Sequence, residues 1–287
     1  MSFTQKITMY LLLLAFANQG YSQHKPAYKL FNSKGKKLSY KKMIRQMSAA
    51  DIVLFGEHHD NPIVHWLQFE TTKELADRQP VVLGAEMFEA DDQPHLTAYL
   101  KGSIDQSAFD TLARLWPNYK TDYKPLVDLA KQQALPLIAT NIPRRYARKV
   151  YRKGFEVLQS LSDTEKSWMA PLPIPYDASL PGYQQMIHMM GGHGGENLPK
   201  AQAVKDATMA YFILKNRQKN TLFLHYNGSR HSDNREGIYW YLKQANPTLK
   251  ILTVSVVSQR KISRLTEESH QQADVIIAIP ETMTKTY

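Results

Sequence analysis

The sequence predicts an α/β fold in which a mainly parallel β-sheet is flanked by helices, with a helical and loop insert between the third and fourth strands. Two patterns indicate this fold class. Short continuous runs rich in Val, Ile and Leu are typical of strands that are buried on both faces, as in a parallel sheet. Helical patterns separate most of these runs, which favours helices packed on the sheet. A chain of 287 residues is long enough for one such domain with a full core.

Six apolar runs are the predicted strands. They are residues 52–55, 81–85, 135–139, 221–225, 251–257 and 275–279. The predicted helices include residues 62–77, 123–133, 143–152, 200–216 and 234–245. About eighty residues separate the third run from the fourth, which is far more than an ordinary connection needs. Residues 154–199 are therefore predicted to form an insert, or lid, containing a helix that begins at the capping box Ser162-x-x-Glu165.

The first residues have the pattern of a secretory signal peptide. Lys6 precedes the apolar run 7–17, and the small residues Gly20 and Ser22 follow it. The run is shorter than the about 20 residues that span a bilayer, so no transmembrane anchor is expected after cleavage. We therefore predict a signal peptide over residues 1–22 and an exported domain over residues 23–287, in the periplasm or secreted.

The composition restricts both the chemistry and the partners. With no Cys, the chain has no disulfide, thiolate metal ligand, Cys nucleophile or lipid-modified N-terminal Cys. The formal net charge of +10 favours anionic partners. Nucleic acid is not expected among them, because no recognised binding motif or ordered aromatic and basic platform accompanies the charge.

Polar side chains follow four of the predicted strands at their carboxyl ends. In order along the chain they include Glu57 with His59, then Glu86, Asn141 and His231. The carboxyl ends of strands form the ligand site of open α/β sheets. The opposite ends carry ordinary turn and surface residues. We therefore expect these five side chains to converge at one edge of the sheet.

Two interpretations of this cluster stay open. Glu57, His59, Glu86 and His231 are suitable ligands for Zn²⁺, Mn²⁺ or Fe²⁺, and such a metal can activate water in a metal-dependent hydrolase, with the same four residues as catalytic groups. Alternatively, each histidine makes a structural hydrogen bond. His65 on the following helix belongs to the same neighbourhood.

Other candidate ligand-binding residues lie outside the cluster. Arg144 follows a strand end and begins a basic helical stripe, which can clamp carboxylates or phosphates or can be a solvated helix face. Within the insert, Tyr183, His188 and His193 are candidate haem-iron ligands beside several methionines. Methionine is also ordinary packing material for a lid, so both interpretations remain.

The segment 56–68, Gly-Glu-His-His-Asp-Asn-Pro-Ile-Val-His-Trp-Leu-Gln, resembles the ChaN-like haem-binding uptake family of the Tiki superfamily. Weaker matches follow in the expected order at residues 86–88, 116–125, 136–150, 206–210 and 228–231. The resemblance implies an exported protein of haem or iron acquisition that holds haem between the protomers of a homodimer. Many relatives look like lipoproteins, which this Cys-free chain does not, and related chains commonly carry Tyr where Asp92 stands here.

The wider superfamily includes metal-dependent proteases with two Gly-x-x-His motifs and relatives of erythromycin esterases. Gly56-x-x-His59 and Gly228-x-x-His231 also resemble that kind of site. The leading hypothesis from the sequence is an exported haem- or iron-binding protein, and the alternative is a metal-dependent hydrolase. A structural or partner-binding protein is the third interpretation, and enzymatic activity stays open.

Overall fold

The computed structural model describes residues 25–189 and 195–287, with His188 and Met189 described at the level of the backbone. Its described residues form one seven-stranded sheet. The strands are β1 (Lys29–Asn32), β2 (Ile52–Glu57), β3 (Val81–Glu89), β4 (Leu137–Asn141), β5 (Leu222–Gly228), β6 (Ile251–Gln259) and β7 (Val275–Pro280).

The strands lie in the order β1-β7-β6-β2-β5-β3-β4. Neighbouring strands from β7 to β4 are parallel, and β1 pairs antiparallel with β7 at one edge. All six predicted runs are strands of this sheet, so the predicted mainly parallel α/β fold is confirmed. The prediction missed β1, in which only two residues, Leu30 and Phe31, are buried between polar neighbours.

Helices cover both faces of the sheet. They are α1 (Tyr40–Ser48), α2 (Pro62–Ala76), α3 (Gln93–Leu100), α4 (Gln106–Leu112), α5 (Lys124–Gln132), α6 (Arg144–Lys153), α7 (Asp163–Lys166), α8 (Pro181–Met189), α9 (Asn197–Asn216) and α10 (Ile238–Ala245), with a π-helical turn at Tyr119–Tyr123. The predicted capping box of Ser162 and Glu165 begins α7. Asn61 caps α2 by accepting a 3.1 Å hydrogen bond from Val64 N, and Pro62 pre-sets the first turn.

Alternating side chains of the strands divide the core into two layers. Val53 and Phe55 of β2 pack with residues of α1 to α5 on one face. Ile52 and Leu54 pack on the other face with residues of α6, α9 and α10. Because helices cover both faces of these strands, the strand sequences are continuous apolar runs.

The described part of the insert has no strand, and its first half belongs to the second core layer. Leu158, Leu161, Met169 and Ile174 are buried there. Farther along, α8 packs on α9, and Gly182 N donates a 2.7 Å hydrogen bond to a side-chain oxygen of Glu236. The insert therefore reaches the segment that follows β5. Whether it opens as a lid stays a prediction.

The predicted signal peptide, residues 1–22, lies outside the described residues. Among the helices of residues 25–189 and 195–287, none is both long enough and apolar enough to cross a bilayer.

Candidate functional site

The carboxyl ends of β2, β5, β3 and β4 meet side by side at one edge of the sheet. These are the four strands whose ends carry the polar residues singled out in the sequence. In the register of β2 and β5, Gly56 lies opposite Asn227 and Glu57 opposite Gly228. The two Gly-x-x-His segments are therefore neighbours on the central strands.

Each glycine of these segments lies where the other segment approaches it. A Cβ on Gly56 would come within 3.0 Å of the Cα of Ser229 and within 2.6 Å of the carbonyl oxygen of Val254. On Gly228, a Cβ would lie 2.7 Å from the Nε2 atom of His59. Glycine at both positions lets the two strand ends and the His59 ring pack in direct contact.

Glu57 is a buried acceptor at the end of β2. Its Oε1 accepts hydrogen bonds from His59 Nδ1 at 2.8 Å and from the hydroxyl of Tyr123 at 2.8 Å. Oε2 accepts a 2.7 Å bond from Gln68 Nε2. Burial opposes the ionisation of this carboxyl, but the neighbouring His65 and the bonds from His59 and Gln68 hold its pKa below the ordinary value. Glu57 is thus a carboxylate whose oxygens are already satisfied by the protein.

Residues of α2 and of the segment around the π-helical turn hold the loop after β2 in place through hydrogen bonds. The backbone carbonyl of His59 is hydrogen bonded to His65 Nε2 at 3.1 Å and accepts a 2.8 Å bond from Asn118 Nδ2. Asn118 also donates to Asp122 at 2.6 Å. These bonds hold the His59 ring, whose side chain is 33% exposed, at the mouth of the site.

A second buried cluster joins three elements. His231 donates from Nε2 to Glu86 at 3.1 Å and from Nδ1 to Asp206 of α9. Burial disfavours the charged imidazole, yet the two carboxylates raise the pKa of His231 to about 10. Burial likewise opposes ionisation of Glu86, and the adjacent His231 charge, the nearby His59 and the Gly228 amide hold its pKa well below the ordinary range.

Gly228 connects the two clusters. Its N–H donates a 2.7 Å hydrogen bond to Oε2 of Glu86, while its Cα faces the His59 ring. The structure therefore brings Glu57, His59, Glu86 and His231 into one neighbourhood. This neighbourhood consists of two clusters, each with a histidine and carboxyl groups, which meet at Gly228 at the end of β5.

Comparisons with known proteins decide the family. The family model described as haem-binding uptake, Tiki superfamily, ChaN matches residues 43–242. The chain belongs to this family. The ChaN match spans every residue named above in the two clusters. No curated protein matches the chain.

Solved structures share the ChaN fold. A structure titled cofacial heme binding to ChaN of Campylobacter jejuni is similar with a TM-score of 0.65 and 18% identity, covering 88% of this chain and 97% of that one. A succinoglycan biosynthesis protein is similar with a TM-score of 0.52 and 11% identity, covering 90% and 95% of the two chains. At these identities the likeness shows the fold. The family match favours haem binding over the hydrolase alternative.

The geometry of this ChaN-family site does not support the predicted metal ligands. Among the residues that the structure describes, no group of three or more His, Asp or Glu side chains is arranged to hold a metal ion. Both nitrogens of His231 are paired with carboxylates, and the side-chain amide of Gln202 lies 2.8 Å from Nδ1. A protonated imidazole has no lone pair for a metal. The contacts that the two histidines make in this structure are ion pairs and hydrogen bonds with carboxyl groups.

Two further predicted residues lie near the clusters. The side-chain amide of Asn141 donates a 3.1 Å bond to the carbonyl of Glu86, and its buried Oδ1 has no partner among the described residues. Asn141 thus ties β4 to the end of β3. Arg144 is exposed at the start of α6.

The candidate iron ligands of the insert fall into two groups. Tyr183 is buried on α8, where its ring stacks on Tyr176 with centroids 5.4 Å apart. Burial, with the charge of Asp206 nearby, raises the pKa of Tyr183 far above the ordinary value, so its phenolate is disfavoured in this arrangement. The side chain of His188 and the whole of His193 lie outside the described part of the chain.

Sequence reasoning missed several partners of the clusters. They are Gln68, Asn118, Asp122, Tyr123, Gln202 and Asp206. Gln68, Gln202 and Asp206 lie on helices, Asp122 and Tyr123 lie in the π-helical turn and Asn118 lies directly before it, whereas the prediction considered strand ends. A signal existed for Asp206: it lies on a helix between the buried residues Ala203 and Ala207, where an acidic side chain needs a partner.

A cleft of about 290 Å³ opens beside this edge of the sheet. Four arginines line it, Arg114, Arg144, Arg145 and Arg148, together with Trp116 and Glu89. The Trp116 ring meets the His59 ring edge to face with centroids 4.9 Å apart. The cleft therefore continues the site from the exposed face of His59 toward the start of α6.

Proposed function

We propose that this protein binds haem. The observation that carries the proposal is the match of residues 43–242 to the ChaN haem-binding uptake family. The similar fold of the Campylobacter jejuni ChaN, whose structure is titled for cofacial heme binding, supports it. The basic cleft beside His59 also suits haem, because the propionates of haem are anionic and guanidinium groups bind carboxylates well.

The proposed iron ligand comes from the insert, at Tyr183, His188 or His193. Haem iron takes axial ligands from His and Tyr side chains. Tyr183 can serve only if α8 moves, since its hydroxyl is buried and its pKa is raised. Bound haem would supply a redox-active iron, and the protein's part is to hold the ring and its carboxylates.

We further propose that the protein is exported and takes part in haem or iron uptake, as a homodimer. The basic and apolar pattern of residues 1–22 supports export, and the absence of Cys argues against a lipid anchor on cysteine. The cofacial haem binding named for the Campylobacter jejuni protein supports pairing of two haem-bearing copies.

A haemin titration of the purified protein, read by visible absorption, tests haem binding. We expect a saturable change in the Soret region and, by light scattering, an increase in mass to that of a dimer on loading. Mass spectrometry of the chain after expression with export tests cleavage after residue 22. A titration that never saturates, or that matches haemin in an unrelated basic protein, would contradict haem binding.

A further inference from the structure

The basic cleft beside His59 is built from two kinds of arginine. Arg114 is anchored by Glu89, with 2.9 Å from Nε to Oε2, and by Asp91 and Asp92. Arg145 donates a 2.6 Å bond to Asp91. These two guanidinium groups are compensated by acidic side chains and hold the walls of the cleft in place.

Arg144 and Arg148 form the second kind. Neither makes a hydrogen bond or ion pair with any residue in the described ranges 25–189 and 195–287, although both line the cleft. They lie four residues apart on one face of α6, where like charges repel each other. The first turn of α6 carries no acidic residue, so the positive end of the helix dipole adds to the repulsion.

An anion between the two side chains would relieve this repulsion. Three sources of positive potential, two guanidinium groups and a helix amino end, face one small cleft whose lining includes a single acidic residue, Glu89. Guanidinium groups bind carboxylates with paired, charge-assisted hydrogen bonds. The electrostatics of the cleft therefore favour a ligand that brings one or two carboxylates.

The rest of the cleft favours a flat ligand. Leu115, Trp116 and Pro117 supply the apolar part of the cleft's lining. At about 290 Å³ the cleft lies at the lower limit of pockets that enclose a whole drug-sized ligand. It can take the carboxylate edge of a large planar molecule while the remainder projects past Trp116 toward His59.

We infer that Arg144 and Arg148 clamp the carboxylates of a planar anionic ligand, with Trp116 against its ring. The inference rests on the proposed function, for which these groups are the two propionates of haem. It assigns an anchoring site on α6 that is separate from the iron ligand in the insert.

Binding titrations with haemin and with haemin dimethyl ester test the clamp, because the ester keeps the ring and the iron but has no carboxylates. The variants are the double substitution Arg144→Gln with Arg148→Gln, and Arg152→Gln as a matched control on the same helix outside the cleft. We expect the double variant to bind haemin at least about tenfold more weakly than the native chain. Ester binding should be the same in all three proteins.

Haemin affinity that is equal in the native and double-variant proteins would overturn the clamp and leave haem binding intact. A native protein that binds neither porphyrin would instead overturn the proposed function. In that case citrate, titrated by calorimetry, decides whether the cleft takes a free polycarboxylate. Citrate binding that is lost in the double variant supports the clamp, and no citrate binding to the native chain refutes it.

Discussion

At the scale of single residues, the two histidines of the Gly-x-x-His segments differ in their surroundings. His231 is buried and pairs with two carboxylates, Glu86 and Asp206. His59 is one-third exposed and pairs with Glu57, which also accepts bonds from Gln68 and Tyr123. The same motif spacing therefore produces one internal ion pair and one side chain at the surface of the site.

This difference predicts unequal costs of substitution. His231→Ala leaves the buried Glu86 carboxylate without its cation and Asp206 without its hydrogen-bond partner, and we expect it to lower the free energy of unfolding by about 3–5 kcal/mol. His59→Ala removes one of three side-chain bonds to Glu57 and should cost about 1 kcal/mol. Urea unfolding followed by circular dichroism measures both. Equal losses in the two variants would show that His231 does not neutralise the buried pair.

Most of the site residues that were predictable follow the end of a strand, and His65 on α2 is the exception. Glu57, Glu86 and His231 follow apolar runs directly, and the rule for strand ends placed them together. Asp206 reaches His231 from the middle of a 20-residue helix, so its position depends on how α9 packs on the sheet. No local sequence pattern predicts how α9 packs on the sheet, so Asp206 was missed as a partner of His231.

At the scale of elements, the buried strands were predictable and the edge was not. Each central strand is covered on both faces, so its apolar run is continuous. β1 buries only Leu30 and Phe31, and its pairing with β7 brings together segments about 240 residues apart in the chain.

The helices α1, α3 and α4 were also not predicted. They are nine residues or fewer, short for a periodic pattern to stand out.

The charges along α6 predict a measurable asymmetry. Arg144 lies in its first turn and Arg152 in its last, and each is four residues from Arg148. Replacing either by Gln removes a repulsion with Arg148, and Arg152→Gln also removes one with Lys149. An excess stability of Arg144→Gln over Arg152→Gln must therefore come from the helix dipole. We expect Arg144→Gln to be more stable than Arg152→Gln by about 0.5–1 kcal/mol in low salt. Thermal unfolding in low and high salt checks this, because the difference should vanish when charges are screened.

The insert is predicted to have two levels of protection against hydrogen exchange. Its first half contributes Leu161 and Met169 to the core, and Ala170 N donates to the hydroxyl of Thr208. In α8 only Tyr183 is fully buried among residues 181–187. We expect amides of α8 to exchange faster than that of Ala170 and much faster than those of β5. Equal protection in α8 and β5 would contradict a lid that moves.

At the scale of the whole molecule, one topological fact explains the site. The four strands with polar carboxyl ends, β2, β5, β3 and β4, are contiguous in the sheet although β5 follows β4 by about eighty residues in the chain. The sequence predicted that all four ends lie at one edge, since the strands are parallel. It could not predict that β5 inserts between β2 and β3, which is what places His231 beside Glu86.

The paired charges also predict how the stability of the molecule depends on pH. The folded-state pKa of His231 is raised from 6.5 to about 10 by Glu86 and Asp206, against the opposing effect of burial. Between these two values the folded state holds a proton that the unfolded chain releases. The stabilisation is therefore complete below pH 6.5 and is lost as the pH rises toward 10. His59, whose pKa is raised by its bond to Glu57, contributes in the same direction.

We expect the free energy of unfolding to fall continuously from pH 6.5 to about 10, by up to about 1.4 kcal/mol per pH unit for one proton. Urea unfolding at several pH values measures the slope. Glu86→Gln is the matched variant, because it removes one carboxylate from His231 while keeping an acceptor for the Gly228 amide. Its lower His231 pKa should move the loss of stability to lower pH. A native profile that is flat between pH 7 and 9 would mean that His231 is not a buried imidazolium, and the ion-pair description of the site would then be wrong.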